Sequence, residues 1–421
     1  MDLTPLRASK DFRAVFTAGM ITSIGSMVTY VALPFQVAEL TDSYIAVGLI
    51  GLAEVIPLVF FGLYGGALAD AVDRRLMVIG TEISASIIIA ALLVNSLLPE
   101  PKVWVLFVGA MLLAANSGLQ RPSLDAITPR VVPHDQLAAA GALNTLRWNF
   151  GSITGPAIGG LLLASAGAAA AYAVDLISFV ASILIIWRLS PIRPLRQARR
   201  RPSLGPVIEG MRYAISRRDL LGTYLVDLAA MVFAFPYALF PFLASELEAT
   251  WALGLLYAAG SVGGLAVTLS SGWVTRIHRH GRAIVLAAAA WGLSIGLAGL
   301  ALGAGTASLW LILLMLACAG GADMISGIFR GLMWNQTIPD EVRGRMAGIE
   351  MLSYSIGPLL GQVRASTMAA ATSLRFSLAG GGAMCIVAVA AVAIAVPALW
   401  RYDARTDMHA LRQRDRRTES P

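Results

Sequence analysis

Asp227, Asp323 and Arg330 are charged side chains set inside runs that are otherwise apolar. Asp323 and Arg330 stand seven residues apart, about two turns along one face of a helix. Asp227 lies ~12 Å into its own run at 1.5 Å of rise per residue. Glu54, Arg121, Arg147, Glu82 and Asp175 are placed in the same way. A charge held away from water is costly unless it is paired or changes its protonation, so each is a functional candidate. A carboxylate whose arginine leaves would take up a proton, and would release it when the arginine returns. That is coupling chemistry, and Asp227, Asp323, Glu54, Arg121, Arg147 and Arg330 are its candidates, for protons or for substrate. For Asp175 and Glu82 the preferred reading is a static ion pair, and Glu350 is expected to pair with Arg345. We find no nucleophile–base constellation, phosphate loop or metal-ligand spacing, so no catalytic or metal residue is assigned and an enzyme ranks last. The four histidines (His134, His278, His280 and His409) fall in loops or the tail, which leaves any proton relay to carboxylates. Cys318 and Cys385 lie in apolar runs and suggest no disulfide framework.

The elements that must carry these groups follow from composition. The 421 residues are 57% hydrophobic and 14% charged, against about 25% charged in soluble domains. Twelve apolar runs have the ~20 residues that a helix needs to cross a bilayer. They are 13–39, 45–69, 76–98, 103–125, 138–164, 168–190, 219–245, 250–275, 281–303, 306–334, 346–370 and 374–400. The expected class is an all-α polytopic membrane protein. Arg188 to Arg218 holds nine arginines and one acid, Glu209, and divides the chain. The expected organisation is therefore a six-helix bundle over 1–190, a basic linker over 191–218, a second bundle over 219–400 and a polar, disordered tail over 401–421. Inside the linker, Leu204, Ile208, Met211 and Ile215 share one helical face and suggest a surface helix. Nearly all arginines fall in alternate loops. By the positive-inside rule both termini are cytoplasmic, and the net charge of +7 implies lipid headgroups as partners, not nucleic acid. Lys102, Arg364 and Arg375 are the exceptions to that census.

A repeat of about 200–210 residues runs through the chain: Gly155-Pro156 with Gly159 answers to Gly357-Pro358 with Gly361. A six-plus-six duplication is a transporter architecture, with substrate between the halves. Gly151, Gly155 and Gly159 share one helical face and allow close helix contact, while Pro156 removes a backbone donor. The expectation is a gating role, against the plainer one of small-residue packing. The loop GGALADAVDRR offers Gly65 and Gly66 for close approach, and Asp70, Asp73, Arg74 and Arg75 as a charge latch, or simply a turn. Tyr30, Gln36, Asn116, Gln120, Tyr224, Phe233, Tyr237 and Trp334 suggest a roomy amphipathic cavity.

These motifs resemble the major facilitator superfamily. The loop is similar to its signature between the second and third spans, with Ala71 where a base usually follows the aspartate. The fifth span resembles the exporter motif. DFRAVF at 11–16, LLPEP at 97–101, TPRVVPHDQLAAAGALN at 128–144 and GLLYAA at 254–259 resemble the enterobactin-exporter branch, the transmembrane secretion effectors. The resemblance spans nearly the whole chain. It implies a proton-coupled exporter of siderophores, drugs or secondary metabolites, driven by the proton gradient with no cofactor. The expected setting is a bacterial inner membrane, and the expected partners are an amphipathic small molecule, protons and lipids, with the monomer as the working unit. The alternatives are a facilitator or importer of a small metabolite on the same fold, and a non-transporting sensor or scaffold.

Overall fold

The computed structural model describes residues 2–189 and 212–419, and the surface helix expected in the linker falls largely outside them. No strand occurs among the described residues. In lipid no water satisfies backbone amides and carbonyls, so a long apolar run has only the helix open to it. The helices are α1 (Thr4–Ala8), α2 (Lys10–Thr41), α3 (Tyr44–Ala71), α4 (Arg74–Ser96), α5 (Val103–Val131) and α6 (Leu137–Ile186). After the linker come α7 (Arg218–Ala234), α8 (Phe240–Glu246), α9 (Leu253–Leu269), α10 (His280–Ala301) and α11 (Ser308–Thr337). The last are α12 (Asp340–Ala371), α13 (Leu374–Ala395), α14 (Pro397–Arg401) and α15 (Met408–Glu419).

Starts and stops follow local chemistry. Ser9, Ser43, Asp73 and Ser373 each accept a hydrogen bond from an amide in the first turn that follows, which removes one orphan donor. Gly167, at φ 75° and ψ −178°, breaks the 50-residue α6 in a conformation open to glycine, at the place where the hydropathy divides it. The tail does not stay irregular, as its composition suggested. Asp407 accepts from the amides of His409 and Ala410 and starts α15. Ten helical segments among the described residues are long and apolar enough to cross a membrane. The ten become twelve if the segment His134–Ile186 crosses twice and α12, 32 residues long but less apolar, crosses as well.

The described residues form two compact units, 2–189 with Phe240–Ala258, and 212–239 with 259–419. In the first, α2 packs on α6, α3 on α5, and α4 on both α5 and α6. A cluster of Val15, Ala18, Val78, Ile79, Ile127 and Ile186 fills one end. Buried polar pairs cross-link the same helices. Thr29 donates to Asp175 at 2.5 Å, Ser182 donates to both Glu82 oxygens at 2.8 Å, and Tyr172 donates to Gln36 at 2.9 Å. Asp175 and Glu82 were expected to form ion pairs. Their partners are hydroxyls, because the crossing of α6 with α2 and α4 brings Thr29 to Asp175 and Ser182 to Glu82. The side chains of Glu350 and Arg345 lie outside the described residues.

In the second unit α7 packs on α12 and α13, and α10 packs on α11 and α13. The duplicated glycines do the same work in each unit. A Cβ on Gly155 would lie 2.7 Å from the Ile24 carbonyl of α2, and one on its counterpart Gly357 2.9 Å from Met231 Cβ of α7. A Cβ on Gly159 would lie 3.4 Å from the Val28 carbonyl, and one on its counterpart Gly361 2.3 Å from the Met231 carbonyl. Likewise a Cβ on Gly65 would meet the Gly118 carbonyl at 2.6 Å, and one on Gly263 the Ala317 carbonyl at 1.7 Å. Without a hydrophobic force between helices in lipid, backbone-to-backbone packing of this kind supplies the cohesion.

Gly263→Val is therefore expected to destabilise the protein by about 2 kcal/mol, the usual effect of overpacking a tight contact. Gly331→Ala, where an added Cβ meets nothing within 4 Å, is expected to leave stability unchanged or slightly raised. Melting of the purified protein in detergent, followed by tryptophan fluorescence, separates the two.

Candidate functional site

Three of the charges picked out by spacing meet in the second unit. Arg330, two turns after Asp323 on α11, turns its guanidinium to α7, where Nη1 lies 2.7 Å from Asp227 Oδ1. Nη2 lies 3.9 Å from Asp323 Oδ1. Asp227 is nearly sealed, with its side chain 4% exposed, whereas Asp323 is 43% exposed. Ser353 of α12 approaches Asp227 Oδ2 at 3.4 Å, and Arg330 Nε is buried without a hydrogen-bond partner. One guanidinium thus serves two carboxylates unequally: a close, buried contact to one and a distant contact to the other.

Beside the pair, Trp334 Nε1 donates to the Tyr224 hydroxyl at 3.1 Å, and with Thr223, Gly327 and Tyr354 these side chains enclose about 100 Å³. At about 30 Å³ per liquid water that is room for a few waters, far below the ~300 Å³ of the smallest ordinary ligand pockets. The cavity suits protons and water rather than a drug-sized molecule. Of the remaining cavity candidates in this unit, Tyr237 stacks on Phe235 at 4.4 Å between centroids, and Phe233 is half-buried in the last turn of α7.

The other candidates belong to the first unit. Glu54 is half-buried on α3 and Arg121 is exposed on α5. Arg147 is half-buried, its guanidinium so close to Gly19 that a Cβ there would lie 2.1 Å from Nη1. Tyr30 meets Tyr257 edge-on at 5.9 Å between ring centroids. Gln36 is 3% exposed, bonded to Ser96 and Tyr172, and Asn116 is buried too, while Gln120 is half-buried. In the latch loop, Asp73 caps the Arg75 amide at 2.9 Å and Arg74 donates to the Ala126 carbonyl at 3.0 Å. Arg75 reaches the Trp187 carbonyl, so these arginines tie the loop to α5 and to the end of α6. The side chain of Asp70 lies outside the described residues.

Among the glycines of the fifth span, Gly151 faces Ser23 and Gly155 faces Met27 of α2, and a Cβ on Gly159 would meet Val28 Cα at 3.2 Å. Pro156 sits where its carbonyl is 2.3 Å from a Cβ placed on Gly254. Gly357, one residue before Pro358, faces Met231. Ser353, Tyr354 and Thr223 were not apparent from the sequence, because nothing in a lone hydroxyl distinguishes one that faces a carboxylate from one bonded to its own helix. The one available signal was position: Ser353 lies one turn before the Gly357-Pro358 pair.

Comparison with known proteins places this geometry in a family. The sequence matches the transmembrane secretion effector family over residues 1–415. It is 29% identical over 364 residues to the enterobactin exporter EntS of Shigella boydii serotype 18, covering 86% of each chain. The enterobactin exporter EntS of Escherichia coli O81 matches to the same extent. Among solved structures, a bacterial homologue of the iron transporter ferroportin in an inward-facing state superposes with a TM-score of 0.70 at 16% identity, covering 95% of this chain and 100% of the other. A D-xylose-proton symporter superposes with a TM-score of 0.70 at 14% identity, covering 93% and 97%. At such identities these two likenesses speak for the fold alone. The family match over residues 1–415, with its run of long apolar helices, makes this chain a multi-pass membrane transporter that belongs to the transmembrane secretion effector family of the major facilitator superfamily.

Proposed function

We propose that this transporter is a proton-coupled exporter of a siderophore, drug or related secondary metabolite, and that the Asp227–Arg330–Asp323 cluster carries the proton. The observation behind this reading is the unequal sharing of one guanidinium between two carboxylates. Two carboxylates and one guanidinium leave one net negative charge, so a single proton neutralises the cluster. Arriving at Asp323, the more exposed acid, the proton would cancel one of the two attractions on Arg330. A rearranged guanidinium and a rearranged α11 would follow. One proton moving through ~100 mV releases about 2.3 kcal/mol. At tenfold per 1.4 kcal/mol that sustains a substrate gradient of roughly fortyfold.

Export is favoured by the similarity to the enterobactin exporters, which extends over 86% of the chain. The substrate is then an amphipathic small molecule, for which the 100 Å³ cavity is too small, so the proton and the substrate occupy different places. The arginine distribution favours both termini cytoplasmic and a basic linker over 191–218 between bundles at 1–190 and 219–400, and the similarity to the enterobactin exporters favours a bacterial inner membrane.

Everted membrane vesicles holding the protein are expected to accumulate enterobactin or a lipophilic dye when energised, and to lose the gradient when a protonophore is added. Accumulation that an energised membrane does not change would overturn the coupling, and accumulation only in right-side-out vesicles would overturn the direction.

Purified protein in weakly buffered detergent is expected to release about one proton per molecule on binding a transported compound, by the charge count above. The Asp227→Asn, Asp323→Asn double variant is expected to bind without that release. Release that survives in the double variant would move the proton site elsewhere, to Glu54 first.

A further inference from the structure

Arg364 breaks the charge pattern of the chain: it stands near the end of its span on the side where Arg375 is the other arginine exception. The structure uses it inside the second unit, and no carboxylate pairs with it among the described residues. Its Nε donates to the Val232 carbonyl of α7 at 3.3 Å, and its Nη1 donates to the Ser377 carbonyl of α13 at 3.0 Å and lies 3.7 Å from Met368 Sδ. α7 stops at Ala234, Phe235 turns extended at φ −86° and ψ 115°, and the helical path resumes only at Tyr237–Leu239 and α8. The cause of the break is in the sequence. The amide that would close the Val232 carbonyl in a continuous helix belongs to residue 236, which is proline and has no N–H. Proline also keeps Phe235 out of the helical region. The Val232 carbonyl is thus the acceptor that Pro236 orphans, and the Arg364 guanidinium takes it.

The surroundings are built for this contact. A Cβ on Gly381 of α13 would lie 2.5 Å from Arg364 Nη1 and 2.6 Å from the Phe233 carbonyl, so the glycine makes room for the guanidinium at the end of α7. One turn before Arg364, Gly361 brings α12 against the Met231 carbonyl. A cation at a helix C-terminus also answers the partial negative charge of the carbonyls collected there. Beyond the break the chain leaves one compact unit for the other, between Leu239 and Phe240.

We propose that Arg364 is a positioning residue for transport, which replaces the missing Pro236 amide and so confines bending of this span to Phe235–Leu239. Below that point α7, with Asp227 on it, stays clamped to α12 and α13. The inference rests on the chain being a transporter and not on the direction or the coupling proposed above.

The test is a double-mutant cycle on the full-length protein in lipid nanodiscs, read by amide hydrogen exchange. In the wild type, fast exchange is expected to be limited to residues 235–239. Arg364→Met is expected to carry it back into residues 231–234, with about tenfold faster exchange there, the effect of one lost hydrogen bond on a local opening. Pro236→Ala gives position 236 an amide, and in that background Arg364→Met is expected to change exchange at 231–234 much less. An equal effect of Arg364→Met in both backgrounds, or faster exchange spread evenly over α12 and α13, would show an ordinary structural cation and overturn the proposal. If Arg364→Met alone fails to fold, recovery in the Pro236→Ala background supports it, and failure there too overturns it.

Discussion

Within a bilayer no water is at hand for a polar group that lacks a partner, and most of this structure can be read as the response to that constraint. Backbone groups meet it by forming helices throughout. Where a helix ends or breaks, something else must supply the missing donor or acceptor, and here it does so residue by residue. Serine and aspartate cap the starts of α2, α3, α4 and α13. Arg364 takes the carbonyl that Pro236 abandons, and Arg75 takes the Trp187 carbonyl just past the end of α6. Arginine serves these positions well because one guanidinium carries five donors in a fixed fork and keeps its charge.

The same constraint treats the acids of the two units differently. In the first unit Asp175 and Glu82 receive only hydroxyl donors, from Thr29, Ser178 and Ser182. A hydroxyl reached from a short side chain fixes two helices at close range, as the 2.5–2.8 Å contacts do here. In the second unit Asp227 and Asp323 share Arg330, a long side chain with several rotamers. Moving that guanidinium by an ångström or two changes which acid it serves. The paired Gly-Pro motifs press on α2 in one unit and on α7 in the other, yet the buried charges of the two units are met in opposite ways.

Much of this was legible beforehand, and the reason is that periodicity and charge count are one-dimensional signals. The all-helical class and the membrane setting follow from run lengths. The seven-residue spacing of Asp323 and Arg330 put both on one face of α11, whereas their meeting with Asp227 of α7 is a finding of the structure. What could not be read is whatever depends on which face of which helix meets another at a given height. Asp175 and Glu82 were expected to find arginines, because a buried acid most often does. Only the crossing of α6 with α2 and α4 decides that Thr29 and Ser182 arrive instead. Gln36 looked like a cavity residue by its polarity, and its amide is consumed by Ser96 and Tyr172 in the interior. The tail looked disordered because its mean hydropathy is low, but a single aspartate at position 407 supplies the cap that starts α15.

Proline and glycine are the residues where sequence and mechanism stand closest. Pro156, Pro358 and Pro236 each remove one backbone donor, but the outcomes differ because the neighbours differ. Pro156 and Pro358 lie inside helices that run on through them, with glycines pressed against α2 and α7 to hold the path. At Pro236 the helix gives way, and the loose end is bound by a side chain from another helix. A proline alone therefore does not specify a hinge. It specifies an unsatisfied carbonyl four residues earlier, and what answers that carbonyl decides whether the span bends, breaks or continues. In this chain the answer at Val232 is a cation on α12, five residues after Asp227 along α7. The element that carries the buried acid thus ends at a clamp, and any movement of α8 stops short of the ion pair.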